Sequence, residues 1–408
     1  MVQANRRSFL VAAGLLGLTA ACGSNTGRGG SGSGTLEQWY HAYGEDGVHD
    51  AVDRYAAEYT AAKVNVQWNP GDYDSKVVTA LQNSAVPDVF EAQVKVDWVR
   101  QKQVVPLDDL LGGTRDDFVK ALLDSQTVDG QLYGIPQAID TQVLFYRPSL
   151  LRAAGVTPPT TLPELVDAAK RLTGGGVRGL FAGNDAGVAV LTPPLLWSAG
   201  LDLLSPDGSA PGFDDPRAAA AFTAYRGLGD ALLLGSPTDW SDPGAFVDGR
   251  VAMQWTGLWN LPKITAKHGD DVGVVPFPKF DDQGAVSVPV GAYSSMVNAR
   301  SADVDAAKAF VKWLWVDKTD HQAEFATKFG AHLPARKSLT GATDGLATQV
   351  AGFVADSGRI ASPARWSARA NTALSDAVSR IVRQGADATT ELKAAVEVAR
   401  AEISRIGK

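Results

Sequence analysis

Strands and helices alternate along the chain from Thr35 onward, and this alternation constrains the fold more than any other feature. The segment TLEQWY predicts a strand, and HDAVDRYAAEYTAA follows with Val52, Tyr55, Ala56 and Tyr59 on one helical face. In KVNVQW, apolar and polar residues alternate with the period of a second strand. A strand, a helix and a strand in that order predict an α/β layer with a parallel sheet.

The same alternation continues through the rest of the chain. YDSKVVTALQNS and LPELVDAAKRL predict helices, whereas PDVFEA, VLFYR, VAMQW and VGVVPFP predict strands. The last third is predicted to be mostly helical, with apolar faces in DVDAAKAFVKWLW and TELKAAVEVARAEISRI. Because 408 residues exceed what one hydrophobic core usually supports, two domains are expected.

The only cysteine, Cys22, ends a short apolar run near the N-terminus. The run from Leu10 to Ala21 is too short to cross a hydrocarbon core of roughly 30 Å, which needs about 20 residues. A basic start followed by an apolar region and small residues indicates an export signal. NRRSFL resembles a twin-arginine export motif, and LTAAC resembles a lipobox, in which the cysteine is diacylated. Residues 1–22 are therefore predicted to be a signal peptide with a lipobox, and residues 23–34 a flexible Gly/Ser tether.

Charge and motifs exclude several classes of function. A net charge of −7 argues against a nucleic-acid partner, because nucleic acid attracts cationic surfaces. GGGVRG, residues 174–179, matches a dinucleotide-binding pattern but follows a predicted helix, so it is interpreted as a glycine turn that ends the helix. No phosphate-binding loop, HExxH or GxSxG motif occurs, and the five histidines lack metal-ligand spacing. The sequence therefore predicts no catalytic residue, no cofactor and no metal site.

Tryptophan is the residue type that points to a function. There are ten tryptophans, and Trp39, Trp255, Trp259 and Trp366 lie next to polar residues instead of inside apolar stripes. An indole ring is a flat apolar platform for the C–H face of a sugar, while carboxylates and amides bind the hydroxyls. The set as a whole predicts a carbohydrate-binding pocket.

The segments from about Thr35 to the end resemble the extracellular solute-binding proteins (family 1) of ATP-driven carbohydrate importers, the group with the maltose-binding and glycerol-3-phosphate-binding proteins. The resemblance rests on the order and spacing of YDSKVVTALQNSAVPDVFEA, VVPLDDLL, GQLYGIPQAIDTQVLFYRPSLLRAAGVTPPTTLPEL, FVDGRVAMQWTGLW, VGVVPFP and KFGAHLPARKS. It implies a two-lobed α/β periplasmic-binding-protein fold (type II, Venus flytrap), with the ligand in the cleft between the lobes. Lobe 1 is expected to comprise residues 35–139 and 292–333, and lobe 2 residues 140–291 and 334–408.

The resemblance also implies a set of ligand-binding residues. Asp140 matches a carboxylate after the YGIP strand, Trp259 an aromatic after the AM strand, and Trp366 a late aromatic that follows a proline. Trp366 stands about where relatives that bind glycerol phosphate place an arginine, which favours a neutral sugar. Arg365 and Arg369 are close enough in sequence to leave a phosphorylated ligand open. The full predicted set is Tyr40, His41, Tyr73, Gln93, Asp140, Asn184, Asp185, Trp255, Trp259, Gly291 and Trp366.

These observations predict a lipid-anchored, monomeric binding protein on the outer face of the cytoplasmic membrane. It is expected to capture a sugar or oligosaccharide and deliver it to the permease of an ABC transporter that has a separate ATPase. Three alternatives remain open: a glycerol-phosphate-type ligand, another polar solute such as a polyamine or metal chelate, and an exported glycoside hydrolase. A hydrolase would need two carboxylates at a set separation, which one sequence does not give.

Overall fold

The computed structural model describes residues 34–343 and 345–407. The predicted signal peptide, the lipidation site at Cys22 and the tether up to residue 33 lie outside these residues. The strands are β1 (Thr35–His41), β2 (Lys63–Asn69), β3 (Val89–Ala92), β4 (Thr127–Val128), β5 (Gln131–Leu132), β6 (Ile135–Pro136), β7 (Ala138–Tyr146), β8 (Arg178–Phe181), β9 (Val251–Gly257), β10 (Gly273–Val275), β11 (Val288–Gly291), β12 (Ser294–Val297), β13 (Leu333–Pro334) and β14 (Gly358–Ile360).

The helices alternate with these strands in the first two thirds of the chain and dominate the last third. They are α1 (Val48–Glu58), α2 (Tyr73–Asn83), α3 (Val96–Arg100), α4 (Asp108–Leu111), α5 (Lys120–Ser125), α6 (Pro148–Ala154), α7 (Leu162–Arg171), α8 (Val188–Ser198), α9 (Pro216–Arg226), α10 (Gly244–Val247), α11 (Leu261–His268), α12 (Val304–Lys312), α13 (Thr319–Thr327), α14 (Gly345–Ser357), α15 (Ala368–Gln384) and α16 (Ala388–Ile406). The predicted element types are confirmed for every segment named above.

Local sequence explains where these elements begin and which face they bury. The apolar stripe of α1 is buried, including Val52, Tyr55 and Ala56, as its spacing predicts. Helix α7 begins with a capping box, in which Thr161 accepts a hydrogen bond from the backbone of Glu164 and the Glu164 side chain accepts one in return. The GGGVRG segment forms a turn closed by a bridge between Gly174 and Val177, as predicted.

Two mixed sheets form the framework. The first has the order β2-β1-β3-β12-β6, with β1 parallel to β2 and β3. The second has the order β14-β11-β7-β9-β8, and β10 and β13 also pair with β7. The expected parallel pairing thus holds for β1 with its neighbours and for β8 with β9, whereas β7 is antiparallel to every strand it pairs with.

The chain passes between the two sheets at neighbouring points. Strand β6 belongs to the first sheet and runs into β7 of the second, and β11 of the second runs into β12 of the first. A third segment, β13, pairs with the start of β7, where Leu333 is opposite Ile139. The adjacent pairs Gly291–Asp140 and Leu333–Ile139 therefore place three chain segments side by side at the base of the cleft described below.

Candidate functional site

A cleft of about 1000 Å³ is lined by residues from elements of both sheets. One wall comes from the loop after β1, from α2 and from the segment that joins β3 to α3. The other comes from the start of α8, the loop before α10, the segment between β9 and α11, and the start of α15. A cleft of this size is at the upper end of the usual range for small-molecule sites, about 300–1,000 Å³.

The base of the cleft holds a histidine between two carboxylates. Nδ1 of His332 is 2.8 Å from Oδ1 of Asp140, and Nε2 is 3.1 Å from Oε1 of Glu45. Carboxylates only accept hydrogen bonds, so both ring nitrogens must donate and the ring is an imidazolium cation. Burial alone would lower the pKa of His332, but the hydrogen bonds and charges of Asp140 and Glu45 raise it to about 10.

A second histidine lies on the wall formed by the first sheet. Nδ1 of His41 is 2.5 Å from Oε1 of Glu91, and the His41 ring stacks on Tyr293 with centroids 4.7 Å apart. Burial lowers the pKa of His41, but the charge and hydrogen bond of Glu91, together with the charges of Asp140 and Glu45, more than offset this, so the pKa is raised. The other oxygen of Glu91 accepts a hydrogen bond from the hydroxyl of Tyr43 at 2.7 Å. Glu91 itself is buried, and its two hydrogen bonds hold the rings of His41 and Tyr43 in place.

Aromatic rings line the opposite wall in two places. Trp240 and Trp259 meet edge to face with ring centroids 5.9 Å apart, and Nε1 of Trp259 donates to the backbone oxygen of Ser241 at 3.1 Å. Further along, Trp366 packs edge to face against Phe213, and its Nε1 is 3.3 Å from Oδ1 of Asn371. The indole N–H groups of Trp259 and Trp366 are thus both engaged by the protein, which fixes the planes of these two rings.

Six of the eleven predicted site residues line the cleft, and five do not. The six are His41, Gln93, Asp140, Trp259, Gly291 and Trp366. The five are Tyr40, Tyr73, Asn184, Asp185 and Trp255, whose contacts in the structure serve packing and capping. We therefore correct the candidate site by leaving these five out.

Tyr40 and Tyr73 belong to the interior of the first sheet. Tyr40 is fully buried, stacks on Trp68 at 5.3 Å and accepts a hydrogen bond from Gln38. The hydroxyl of Tyr73 donates towards the backbone oxygens of Trp39 (3.1 Å) and Glu91 (2.9 Å). Both side chains point into the core, whereas the residues that follow them, His41 and Asp74, line the cleft.

Asn184, Asp185 and Trp255 stabilise the second sheet and its connections. The side-chain amide of Asn184 donates to the backbone oxygen of Ser236 at 3.0 Å and accepts from its backbone N–H at 2.8 Å. Asp185 accepts from the backbone of Gly187 and Ala189, so it caps the start of α8. Trp255 is buried, and its Nε1 donates to Gln142, which itself lines the cleft.

The cleft lining also contains residues that were not predicted, among them Glu45, Trp240, Tyr293 and His332. Tyr293 and Trp240 are aromatics next to loop residues, so the pattern that singled out Trp259 would also have found them. Glu45 and His332 carry no such signal, because they are 287 positions apart and meet only in the folded chain.

Two further properties of the described residues bear on function. Within residues 34–343 and 345–407, no cluster of three or more His, Cys, Asp or Glu side chains has a geometry that would hold a metal ion. None of the helices in this part of the chain is long and apolar enough to cross a membrane.

Comparison with known proteins places this geometry in context. Residues 33–318 match the family described as bacterial extracellular solute-binding protein. The galactooligosaccharide-binding protein of Bacillus subtilis is 25% identical over 416 residues, which cover 97% of this chain and 96% of that protein.

Two solved structures show the same architecture. The GacH receptor of Streptomyces glaucescens, solved unliganded and with acarbose, has a TM-score of 0.77 at 23% identity and covers 91% of this chain and 99% of its own. UgpB of Mycobacterium tuberculosis, solved with glycerophosphocholine, has a TM-score of 0.76 at 20% identity and covers 92% of this chain and 100% of its own. These likenesses confirm the predicted two-lobed α/β fold.

Proposed function

The chain belongs to the bacterial extracellular solute-binding proteins, and we propose that it binds a neutral sugar or oligosaccharide and delivers it to the permease of an ABC transporter. The observation that carries the proposal is the cleft itself, which combines tryptophan faces with fixed carboxylates and amides over about 1000 Å³. Such a surface suits a ligand that is apolar on its ring faces and polar around its rim. The binding specificity implied by the name of the Bacillus subtilis relative supports the same ligand class.

The polar groups of the cleft are of the kind that bind sugar hydroxyls. Gln93, Gln142 and Asn371 offer amide groups, and Asp140 and Glu45 offer carboxylate oxygens that accept hydrogen bonds. Hydrogen bonds between a hydroxyl and a charged acceptor are stronger than those between neutral groups. The aromatic rings would therefore stack on the sugar rings, while the amide and carboxylate groups would bind the sugar hydroxyls.

The charges of the cleft favour a neutral ligand over a phosphorylated one. Among the described residues that line it, no arginine occurs. Arg365 instead pairs with Asp129 at 2.8 Å, and Arg369 lies 3.6 Å from Glu402; neither side chain lines the cleft. Bidentate recognition of phosphate depends on arginine, so these pairings count against the glycerol-phosphate alternative. The likeness to UgpB is the one observation that keeps that alternative in the test.

Closure of two lobes around the ligand is part of the proposal. We assign residues 35–139 and 292–333 to lobe 1, and residues 140–291 and 334–408 to lobe 2. The crossings from β6 to β7 and from β11 to β12 support these boundaries. Closure by a hinge at such crossings would bury the ligand, and the closed form would be the one that the permease recognises.

Attachment to the membrane is the remaining part of the proposal. Diacylation of Cys22 would hold a monomeric protein at the outer face of the cytoplasmic membrane, since two acyl chains give stable anchoring where one is marginal. The Gly/Ser composition of residues 23–34 supports a flexible tether between the anchor and the folded part. The protein itself would act by binding alone, as a non-enzyme.

The test is a binding screen with calorimetry and thermal unfolding. The probes are lactose, maltose, galactotriose, mannotriose, diacetylchitobiose, glycerol 3-phosphate and glycerophosphocholine. At a ligand concentration of 100 times Kd, binding stabilises the folded protein by about 2.7 kcal/mol, which raises Tm by several degrees. We expect at least one neutral sugar to do so and the two phosphates to have no effect. Absence of binding by every sugar would contradict the proposal, and binding of a phosphate alone would replace the ligand class.

The hydrolase alternative is settled with the same sugars. After incubation with excess protein, a binding protein returns each oligosaccharide intact, whereas a glycosidase releases shorter products. Chromatography of the labelled sugars distinguishes these outcomes.

A further inference from the structure

His332 joins three parts of the cleft that lie far apart in the sequence. It directly precedes β13, Asp140 lies on β7, and Glu45 lies in the loop between β1 and α1. Its ring is also nearly parallel to the rings of Trp259, with centroids 6.2 Å apart and planes at 21°, and of Phe325, at 6.4 Å and 15°. A buried side chain with this many directed contacts has one orientation, and it imposes an orientation on each partner.

In each carboxylate, one oxygen accepts a hydrogen bond from His332 and the other oxygen does not contact the histidine. Oδ2 of Asp140 has a single long contact, 3.4 Å from the backbone N–H of Tyr293. Oε2 of Glu45 has no hydrogen-bond partner among the described residues. Both side chains line the cleft, so the remaining oxygens are acceptors held at a fixed place.

We propose that His332 is a positioning residue for ligand binding, whose imidazolium fixes the carboxylates of Asp140 and Glu45 in the cleft and supports the rear face of Trp259. This inference rests on the proposed function, because the groups that it positions are the proposed hydroxyl acceptors and sugar platform. The raised pKa of His332 agrees with it, since the cation persists at neutral pH. Without this cation, the carboxylates of Asp140 and Glu45 would repel each other, and no hydrogen-bond donor would fix their positions beside Trp259.

The surroundings of the ring show which groups bear on its charge. Asp140 and Glu45 act on the charge of the ring directly, and the same two carboxylates also act on His41. Helix α13, which packs against β13, carries the further titratable groups Asp320, His321 and Glu324. Lys263 donates to the backbone oxygen of Gly44 at 3.0 Å, and Lys328 pairs with Glu324 at 2.7 Å. These contacts leave Asp140 and Glu45 as the direct partners of His332.

The first experiment uses the protein without ligand. NMR titration of the His332 ring, assigned by comparison with His332→Gln, should show a doubly protonated ring up to pH 8.5. Asp140→Asn and Glu45→Gln should each lower the titration midpoint. The indole N–H signal of Trp259, assigned with Trp259→Phe, should shift in His332→Gln. A ring that titrates near pH 6.5, or an unchanged indole signal, would overturn the proposal.

The second experiment uses the tightest-binding sugar of the panel above. The wild-type Kd should be constant between pH 5.5 and 8. Above pH 8 the wild-type Kd should rise as the pH is taken to 10.5, because His332 then loses the proton with which it holds both carboxylates. In His332→Gln, Kd should be at least tenfold higher than in the wild type at pH 8 and should change less between pH 8 and 10.5. If His332 only packs, the Kd of the wild type and of His332→Gln should depend on pH in the same way between pH 8 and 10.5, and that result would overturn the proposal.

A matched control separates these effects from general damage. His268→Gln changes a half-buried histidine whose Nε2 contacts the backbone oxygen of Phe246, outside the cleft. It should leave both Kd and its pH profile unchanged.

Should His332→Gln fail to fold, Glu45→Gln provides the same test. The expected results are a loss of sugar binding and a lowered titration midpoint of His332. Failure of every sugar to bind would reject the proposed function, while the ligand-free spectra would still decide whether His332 holds Trp259 and the carboxylates.

Discussion

Replacing His332 with glutamine should change how the stability of the ligand-free protein depends on pH. In the folded protein the pKa of His332 is about 10, against about 6.5 in an unfolded chain. The folded protein therefore binds this proton more tightly than the unfolded chain does. Stability from this source is fully present below pH 6.5 and is lost as the pH rises from 6.5 to about 10.

The size of the effect follows from the two pKa values. A folded-state pKa of about 10 gives on the order of 4 kcal/mol of stabilisation at pH 7 and about 1.4 kcal/mol at pH 9. The loss between these pH values is about 2.5 kcal/mol, which corresponds to a fall in Tm of about 3 °C for a protein of this size, given an unfolding entropy of about 2.1 cal/mol/K per residue. No discount for solvent is needed, because the side chain of His332 is only 7% exposed.

The assay is thermal unfolding of the wild type and His332→Gln at half-unit steps from pH 7 to 9. The wild-type Tm should fall by about 3 °C relative to the variant across this range. Burial lowers the pKa of His268 in the wild type, so this histidine is neutral above pH 7 in both the folded and unfolded states. The difference in Tm between the wild type and His268→Gln is therefore expected to stay constant above pH 7. Parallel Tm profiles for the wild type and His332→Gln would contradict the charged state of His332 and the reasoning built on it.

Three further predictions concern the cleft, the core and the anchor. Asp140→Ala and Trp366→Ala should each weaken sugar binding at least tenfold, about 1.4 kcal/mol, measured by calorimetry; unchanged affinity in both would remove them from the site. Tyr40→Phe should cost about 1 kcal/mol of stability in denaturant unfolding, because its hydroxyl is buried and bonded to Gln38, yet it should leave Kd unchanged. A tenfold loss of affinity there would restore Tyr40 to the site. Cys22→Ser should release the protein from membranes into the soluble fraction with its Kd unchanged, and retention in the membrane fraction would argue against lipid attachment.

The elements of the fold were accessible from the sequence because their signals are local. The spacing of Val52, Tyr55 and Ala56 defines one face of α1, and that face is buried. The capping box at Thr161 and Glu164 likewise lies within four consecutive residues and marks the start of α7. Patterns of this kind depend only on the period of the helix or strand.

The site was only partly accessible, and Trp255 shows why. It lies on β9, where all seven residues are buried, so the strand has no alternation that would tell which side chains face the cleft. Asn184 and Asp185 show a second reason, because a polar residue after a strand can cap a helix as well as bind a ligand. Predicting the cleft lining requires knowing which face of each strand another element covers.

The sequence by itself determined the order of strands and helices, the two-lobed family resemblance and the choice of Asp140, Trp259 and Trp366 as candidate site residues. The tertiary structure decided which of the candidate side chains reach the cleft. It alone brought His332 to Asp140, 192 positions away, and to Glu45, 287 positions away. The physical reason is that hydrogen bonds and charges act over a few ångströms in space, so their partners depend on how the chain crosses between the sheets and not on spacing along it.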